Sequence, residues 1–469
     1  MSGEIATGWI DEHSNYLTTI SDKIWDYAEI GLAEVESADL LAGELQKNKF
    51  LVEKGIAGMP TAFKAVWGSG KPFIGFLAEY DALKNSSQKR ASVHKEVAIE
   101  GGPGHGCGHN LLGTAHLGTV LALQKEMMEG NLSGTIVFYG CPAEETLLGK
   151  VFMARDGYFD DIDIFLTWHP ETMNCVSEEI WQALMSVKFN FYGISAHAAQ
   201  NPEMGRSAQD AVELMNVGVN YLREHIIDSA RVHYAITKTS GQPNTVPDYA
   251  QVWYYVRGPH RSIAEDVFKR VTNVARGAAL MTDTKMDVEY VVGTPEPLPN
   301  DVLCNLLHES MTSLPEIDWS KEDVAFAREI VKSLNQDAYK ESLSAYHING
   351  DDEKYLHCQL LPLRKDHPYL PNGSSDVSDA SWIAPTGQIY TACGPLGIPL
   401  HSWQFTSVSS MGIGHKGMLY AAKAMAVAGI KLMKSPTLVK AAKDEFMERT
   451  GGKKFVSMTP KEVEISFDQ

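Results

Sequence analysis

The sequence predicts an α/β protein, a mostly parallel sheet flanked by helices, with an inserted ferredoxin-like α+β domain. Three observations carry this expectation. Up to residue 182, apolar runs of strand length alternate with stretches of helical periodicity, the pattern of a sheet covered by helices. After residue 183 the order becomes strand, helix, strand, strand, helix, strand, the ferredoxin-like order. Helical segments then resume beyond Pro295-Glu296-Pro297-Leu298-Pro299, a proline-rich stretch suited to a rigid return linker. The expected organisation is a first domain in two parts, 1–182 and 298–469, interrupted by a second domain over 183–297. A chain of 469 residues is long enough for two cores of that size.

In chain order, Tyr16, Ile20, Ile24 and Ala28 recur at helical spacing, with Asp22, Lys23 and Asp26 on the polar face between them. A second helical run covers Ala38 to Leu45. Two short apolar runs, Phe63 to Trp67 and Pro72 to Leu77, flank Gly68-Ser69-Gly70-Lys71 and read as a hairpin. The second run leads into Glu79-Tyr80-Asp81. Acidic residues just past an apolar strand stand where an open α/β sheet carries its site. Residues 84–104 are polar and glycine-rich, the composition of a surface loop.

Gly104-His105-Gly106-Cys107-Gly108-His109-Asn110 then opens a helix from Leu111 to Met128, with Leu112, Ala115 and Thr119 on one face. Strands are expected at Thr135 to Tyr139 and Ile162 to Trp168, with a helix at Gly149 to Arg155 between them. The inserted domain is expected to place strands at Ala183–Phe191, Val232–Thr237, Ala250–Arg257 and Met286–Val292. Its helices fall at Gly205–His225 and Ser262–Met281, the latter striped by Ile263, Val267, Val271 and Val274. Further on, Asp301 to Leu314 and Glu322 to Leu334 read as helices, and Gln388 to Ala392 as a strand. His415 to Met433 is a helix whose alanines suit close packing. Residues 349–372 have weak periodicity, so 315–372 reads as an insertion that covers or narrows the site. The tail after Gly451 is polar and reads as peripheral.

Bulk properties exclude several classes of function. A formal charge of -18 argues against a general binder of nucleic acid. No apolar run approaches the roughly 18 residues of a membrane span, and the N-terminus lacks the basic-then-apolar order of a secretory signal. The six cysteines are scattered without a Cys-x-x-Cys pair, so they form no disulfide framework. The expectation is a soluble, cytoplasmic protein without nucleic-acid or membrane partners.

The chemistry concentrates in a few places. Cys107 and His109 stand two apart among glycines, which let a backbone fold tightly around an ion. A helix N-terminus beside them favours the thiolate, the form that binds metal. His105 is either a support to that pair or a surface residue of the loop. Adjacent Glu144 and Glu145 read in two ways: as carboxylates complementing a helix dipole, or as one metal ligand beside one group reaching a bound water. His169 ends a strongly apolar strand, the place of a ligand, with a buried structural histidine as the alternative.

Taken as an ordered set, Gly104–Thr114, Tyr139–Glu145, Thr167–Pro170, Gly193–Ala199, Pro243–Asp248 and Pro399–Gln404 resemble the dinuclear-metal aminoacylase and carboxypeptidase superfamily. The similarity spans almost the whole chain and is greatest to the amidohydrolase branch with a cysteine ligand. It implies two divalent ions, Zn or Mn, held by Cys107, His109, Glu145, His169 and His401, with Cys107 bridging. It implies Glu144 as general base and acid, and His197 as a donor to the scissile carbonyl, reaching the site of a partner subunit. Asn244 and Arg257 match substrate-contacting residues. Arg206 is a further anion-binding candidate, with a surface role as its alternative, and Asp81 would orient a ligand imidazole.

The inserted domain then becomes a lid and dimerisation domain, in a homodimer or a heterodimer with a homologous subunit. The implied reaction is metal-dependent hydrolysis of an N-acyl or N-aroyl amino acid, p-aminobenzoyl-glutamate first. The alternatives are a dipeptidase or N-acyl-amino-acid deacylase of other specificity, or a non-catalytic partner subunit. Three positions depart from the branch pattern. Glu79 stands where an aspartate is usual, Asn110 replaces another aspartate, and Ser375 to Asp379 replace an acidic motif, which makes Ser375, Asp376 and Asp379 further candidates, with a polar loop as the alternative.

Overall fold

The computed structural model describes residues 3–130, 132–345, 355–364, 366–369 and 373–467. Of the insertion expected over 315–372, residues 346–354, 365 and 370–372 lie outside the described residues. The chain divides into two compact units, one of residues 1–178, 298–367 and 380–455, the other of 179–297, 368–379 and 456–469. The strands are β1 (Leu51–Lys54), β2 (Phe63–Ser69), β3 (Phe73–Ala78), β4 (Gly134–Gly140), β5 (Ile164–Glu171), β6 (Cys175–Val176), β7 (Ala183–Tyr192), β8 (Arg231–Thr239), β9 (Tyr249–Gly258), β10 (Lys285–Thr294) and β11 (Thr386–Ala392).

The first unit is built on a sheet of order β1-β2-β4-β3-β5-β11-β6. Its central strands β4, β3, β5 and β11 run parallel, and the flanking pairs are antiparallel. The parallel strands are near-continuous apolar runs because both faces are covered, and β4 is buried along its whole length. The helix His109–Gly130 packs against β3, β4 and β5 and also against the helices Glu4–Glu12, Ser14–Tyr27 and Gly412–Lys434. It is buried over most of its circumference, so no single apolar stripe marks it. Small residues let the helices close in: Thr119 donates its hydroxyl to the Ala422 carbonyl at 3.2 Å. This core joins Leu17, Leu41, Phe76, Leu121, Phe138 and Met425.

The hairpin expected at Gly68 to Lys71 is not formed. β2 and β3 are consecutive in sequence, but β4 lies between them and pairs with both. The physical reason is burial. β4, buried along its whole length, takes the position between them, and the glycine turn only carries the chain past it.

The parallel strands all point their C-terminal ends the same way. Glu79 to Asp81 follow β3, Cys141 to Glu145 follow β4, His169 lies near the C-terminal end of β5, and residues 393–401 follow β11. Sequence positions far apart are thereby delivered to one edge of the sheet.

The second unit has an antiparallel sheet of order β10-β7-β9-β8, the ferredoxin-like arrangement. Alternation places Val187, Phe189, Val252 and Tyr254 in the core beneath the helices Ala208–Leu222 and Arg261–Thr282. Two segments that the linear reading assigns to the first domain cluster here, 368–379 and 456–469. The tail is accordingly not all peripheral. Met458 is buried in the second core, and Thr459 ties its hydroxyl to the Gly293 amide at 2.8 Å. One apolar side chain anchored this way outweighs a polar composition.

Candidate metal centre

Four loops at the C-terminal ends of the parallel strands, with the first turn of the helix His109–Gly130, build the centre in the first unit. Among the described residues, three groups of side chains have potential ligand atoms within 4.8 Å of one another: Cys107, His109 and His169; Cys107, Glu145 and His401; and Glu79, His109 and Glu144. Cys107 belongs to two of these groups, the position of a shared thiolate.

The backbone is bent to achieve this. Gly108 has φ +77°, and a Cβ there would lie 3.0 Å from the Phe405 ring and 3.1 Å from Pro170, so only glycine fits between the two ligands. Ala143 and Leu147, which bracket Glu144–Thr146, and His401 are non-glycine residues held at φ +56°, +60° and +61°. Such strained positions persist where the surroundings over-determine them. The Ala143 amide donates to Glu34 Oε1 at 2.7 Å, and the His401 amide to the Gly106 carbonyl at 2.8 Å.

Asp81 holds two parts at once. One oxygen accepts from His109 Nδ1 at 2.8 Å and the other from the Glu145 amide at 3.0 Å, so one carboxylate ties the imidazole to the carboxylate turn. His169 donates Nδ1–H to the Pro170 carbonyl at 2.7 Å, which leaves Nε2 facing Cys107 Sγ at 3.4 Å. His401 Nε2 and Glu145 Oε2 are also 3.4 Å apart.

These contacts fit an ion better than they fit one another. Two ligand bonds of about 2.1 Å meeting at about 108° span a ligand–ligand separation of roughly 3.4 Å, close to the tetrahedral value. Glu79 Oε2, His109 Nε2 and Glu145 Oε1 are buried and have no hydrogen-bond partner. Orphaned polar atoms are costly, and a cation relieves all of them together. The donor set of thiol, imidazoles and carboxylates suits a pair of divalent first-row ions.

Titration follows the burial. Burial, reinforced by Glu145, pushes the Cys107 thiol well above its usual range, against the pull of His109. Burial also raises Glu145 to about 7, against the pull of His109, and lowers His169 to about 4.

Other residues resolve into structural tasks. His105 is fully buried, and its Nε2 meets the Ile24 carbonyl at 3.0 Å, so it ties the loop to a helix and is not a surface residue. Asn110 donates to the Ser21 hydroxyl at 3.0 Å and the Ser409 carbonyl at 2.8 Å. Sequence reasoning missed Glu34, which braces the Glu144 turn and accepts from Thr61 at 3.0 Å, and Lys150, a fully buried lysine 2.8 Å from Glu79. No spacing signal marks either one.

His197, Asn244, Arg206 and Arg257 belong to the second unit. His197 is exposed, and its Nδ1 accepts from the amides of Ala199 at 3.2 Å and Gln200 at 3.1 Å. In the neutral ring the proton therefore resides on Nε2, which is left as an outward donor. The Ala198 amide donates to the Asn244 carbonyl at 2.9 Å, so these two candidates share one loop pair. Arg206 spends its donors on Asp283 at 2.8 Å and on the Gly205 carbonyl at 2.7 Å, which favours the surface reading. Arg257 is half-buried, donates to Ser374 Oγ at 3.0 Å and lies over the Tyr255 ring. No carboxylate partners it among the described residues. Asp376 and Asp379 are buried in the same unit, where Asp379 accepts from Thr294 at 2.6 Å.

Comparison with known proteins fits this geometry. Residues 182–281 match a family model described as a peptidase dimerisation domain. The chain is 39% identical over 456 residues to a p-aminobenzoyl-glutamate hydrolase polypeptide of Escherichia coli K12, the subunit designated B, covering 95% of each chain. It is 26% identical to the Xaa-Arg dipeptidase of Mus musculus, covering 93% of this chain and 90% of that one. Among solved structures, it shares its fold with an aminobenzoyl-glutamate utilization protein from Klebsiella pneumoniae, at a TM-score of 0.63 and 17% identity over 90% of this chain and 97% of that one. It does so too with the YXEP protein of Bacillus subtilis, a dinuclear metal binding peptidase from the M20 family, at a TM-score of 0.58 and 15% identity over 91% and 99%.

Proposed function

Since the chain belongs to the M20 peptidase family, in its dinuclear-metal amidohydrolase branch, we propose that it hydrolyses the amide between an aroyl or acyl group and glutamate, with p-aminobenzoyl-glutamate as first substrate. The observation that carries this reading is the convergence of Cys107, His109, Glu145, His169 and His401 around Glu144, in a relative of the Escherichia coli hydrolase.

Cys107, His109, Glu145, His169 and His401 would hold two ions, Zn or Mn, with Cys107 shared. Bound there, such ions supply Lewis acidity, making a water more acidic and a carbonyl more electrophilic. Glu144 stands beside the ligands, its Oε2 3.9 Å from His109 Nε2. It takes a proton from the attacking water as the new C–O bond forms. It then returns that proton to the amide nitrogen as the C–N bond breaks, one carboxylate acting first as base and then as acid. Water and p-aminobenzoyl-glutamate thus become p-aminobenzoate and glutamate.

His197 Nε2–H, held outward by the two amides on Nδ1, is suited to stabilise the developing oxyanion. Its exposure within its own unit suits service in a dimer, whether of two copies or with a homologous subunit. Arg257 and Asn244 are suited to the substrate's carboxylate and carbonyl groups.

The test incubates Zn- or Mn-loaded protein with p-aminobenzoyl-glutamate and follows p-aminobenzoate by chromatography. Stoichiometric release is expected. No release with either metal, alone or with a homologous partner subunit, contradicts the substrate. The likeness to a dipeptidase supports a second reading, cleavage of dipeptides by the same groups. A panel of N-acyl-glutamates and Xaa-Arg dipeptides separates the two by kcat/KM.

A further inference from the structure

Glu79 is a carboxylate of this centre to which the proposed function gives no task, and its surroundings are unusual. The side chain is 2% exposed, and Oε1 is fixed by the ammonium of Lys150, itself 0% exposed, at 2.8 Å. Oε2 has no hydrogen-bond partner. It points at His109 Nε2 from 3.4 Å. His109 Nδ1 is held by Asp81, so Nε2 is the ring atom left for a ligand bond. Two buried atoms without hydrogen-bond partners, facing each other at that distance, leave the gap that a shared cation fills. The separation equals those of the Cys107–His169 and Glu145–His401 pairs, both 3.4 Å.

We infer that Glu79 is a ligand of the ion held by His109, anchored for that task by the buried Lys150. This rests on the dinuclear reading and extends it by one side chain. An aspartate at position 79 would be one methylene shorter, and could not hold both the Lys150 ammonium and the ion from the same backbone. The lysine also has a role that a surface lysine would not. It neutralises the extra carboxylate, so the centre gains a ligand without a net gain in negative charge.

The test counts and weighs metal without reading activity. Wild-type protein is stripped, reloaded with Co²⁺ and assayed for metal content, for stepwise affinity and for the visible absorption of the bound ions. Two ions per chain are expected. Glu79→Gln should weaken one of the two by tenfold or more and shift its absorption bands, leaving the other within twofold. Glu79→Asp should fall between them. Should Glu79→Gln fail to fold because Lys150 loses its carboxylate, Glu79→Gln with Lys150→Met removes both charges and is read the same way. Two ions of unchanged affinity and spectrum in the variant overturn the inference while leaving the dinuclear reading intact. Fewer than two ions in the wild type sink both.

Discussion

The two units keep their reactive groups in opposite states. In the first, Cys107, His109, Glu79 and Glu144 are buried and crowded, and Glu79 Oε2 and His109 Nε2 have no hydrogen-bond partner. In the second, His197 and Asn244 are exposed on a loop pair joined by the Ala198 amide to the Asn244 carbonyl. Burying orphaned charge is unfavourable, so the first site is complete only with something cationic in it. The exposed pair bears no such cost, and its purpose must come from what it meets. One unit buries its ligand-type groups against one another; the other leaves a histidine and an asparagine facing outward.

The sharpest way to break that contrast is at Glu144. Glu144→Gln should lower kcat by about 10³-fold or more, with both ions retained, because only the proton shuttle is lost. Loss of metal in this variant would move Glu144 among the ligands. His197→Ala should lower kcat by about 10²- to 10³-fold, as removal of an oxyanion donor does. Metal content and melting temperature should not change, since the side chain is exposed; a fall in either would make His197 structural. Arg257→Ala should raise KM about tenfold for glutamate-bearing substrates and leave KM unchanged for analogues lacking the carboxylate. An equal effect on both would remove the carboxylate clamp.

Metal removal sharpens the comparison from the stability side. A chelator should lower the melting temperature of the chain by several degrees, and Zn²⁺ or Mn²⁺ should restore it, because ligands that bind only the folded state stabilise it. Cys107→Ser should blunt both effects. A further effect belongs to the second unit. Burial, with Asp376 adding to it, raises Asp379 to about 8. Unfolded, the same group titrates near 3.9. The folded state therefore holds the proton through a window where the unfolded state has lost it. Stability is full below that lower value and declines as pH rises toward 8, by at most about 1.4 kcal/mol per pH unit. Asp379→Asn should flatten this dependence in thermal melts at pH 5 to 8, and an unchanged slope would show the carboxyl ionised throughout.

Much of the fold was legible. The alternation of apolar runs and helical stripes located the sheet of the first unit, and the change of order at 183 located the ferredoxin-like second. What local pattern could not give was strand neighbourhood. The glycines between β2 and β3 look like a hairpin, and nothing nearby reveals that β4 will wedge between them. The motif around Cys107 and the Glu144–Glu145 pair stood out because glycines and ligand-type residues cluster in sequence. Glu34 and Lys150 did not, because each works through burial, and a charged residue on a helical stretch reads as solvated until its neighbours are known. No helix among the described residues is long and apolar enough to cross a membrane, in line with the absence of such a run in the sequence.

The central claim is that a pair of ions sits on either side of Cys107 Sγ. Anomalous diffraction from crystals of the Zn- or Mn-loaded protein tests it directly. Two peaks about 3.5–4 Å apart, one beside His109 and His169 and one beside Glu145 and His401, are the predicted result. A single peak, or peaks remote from the thiol, would contradict the account.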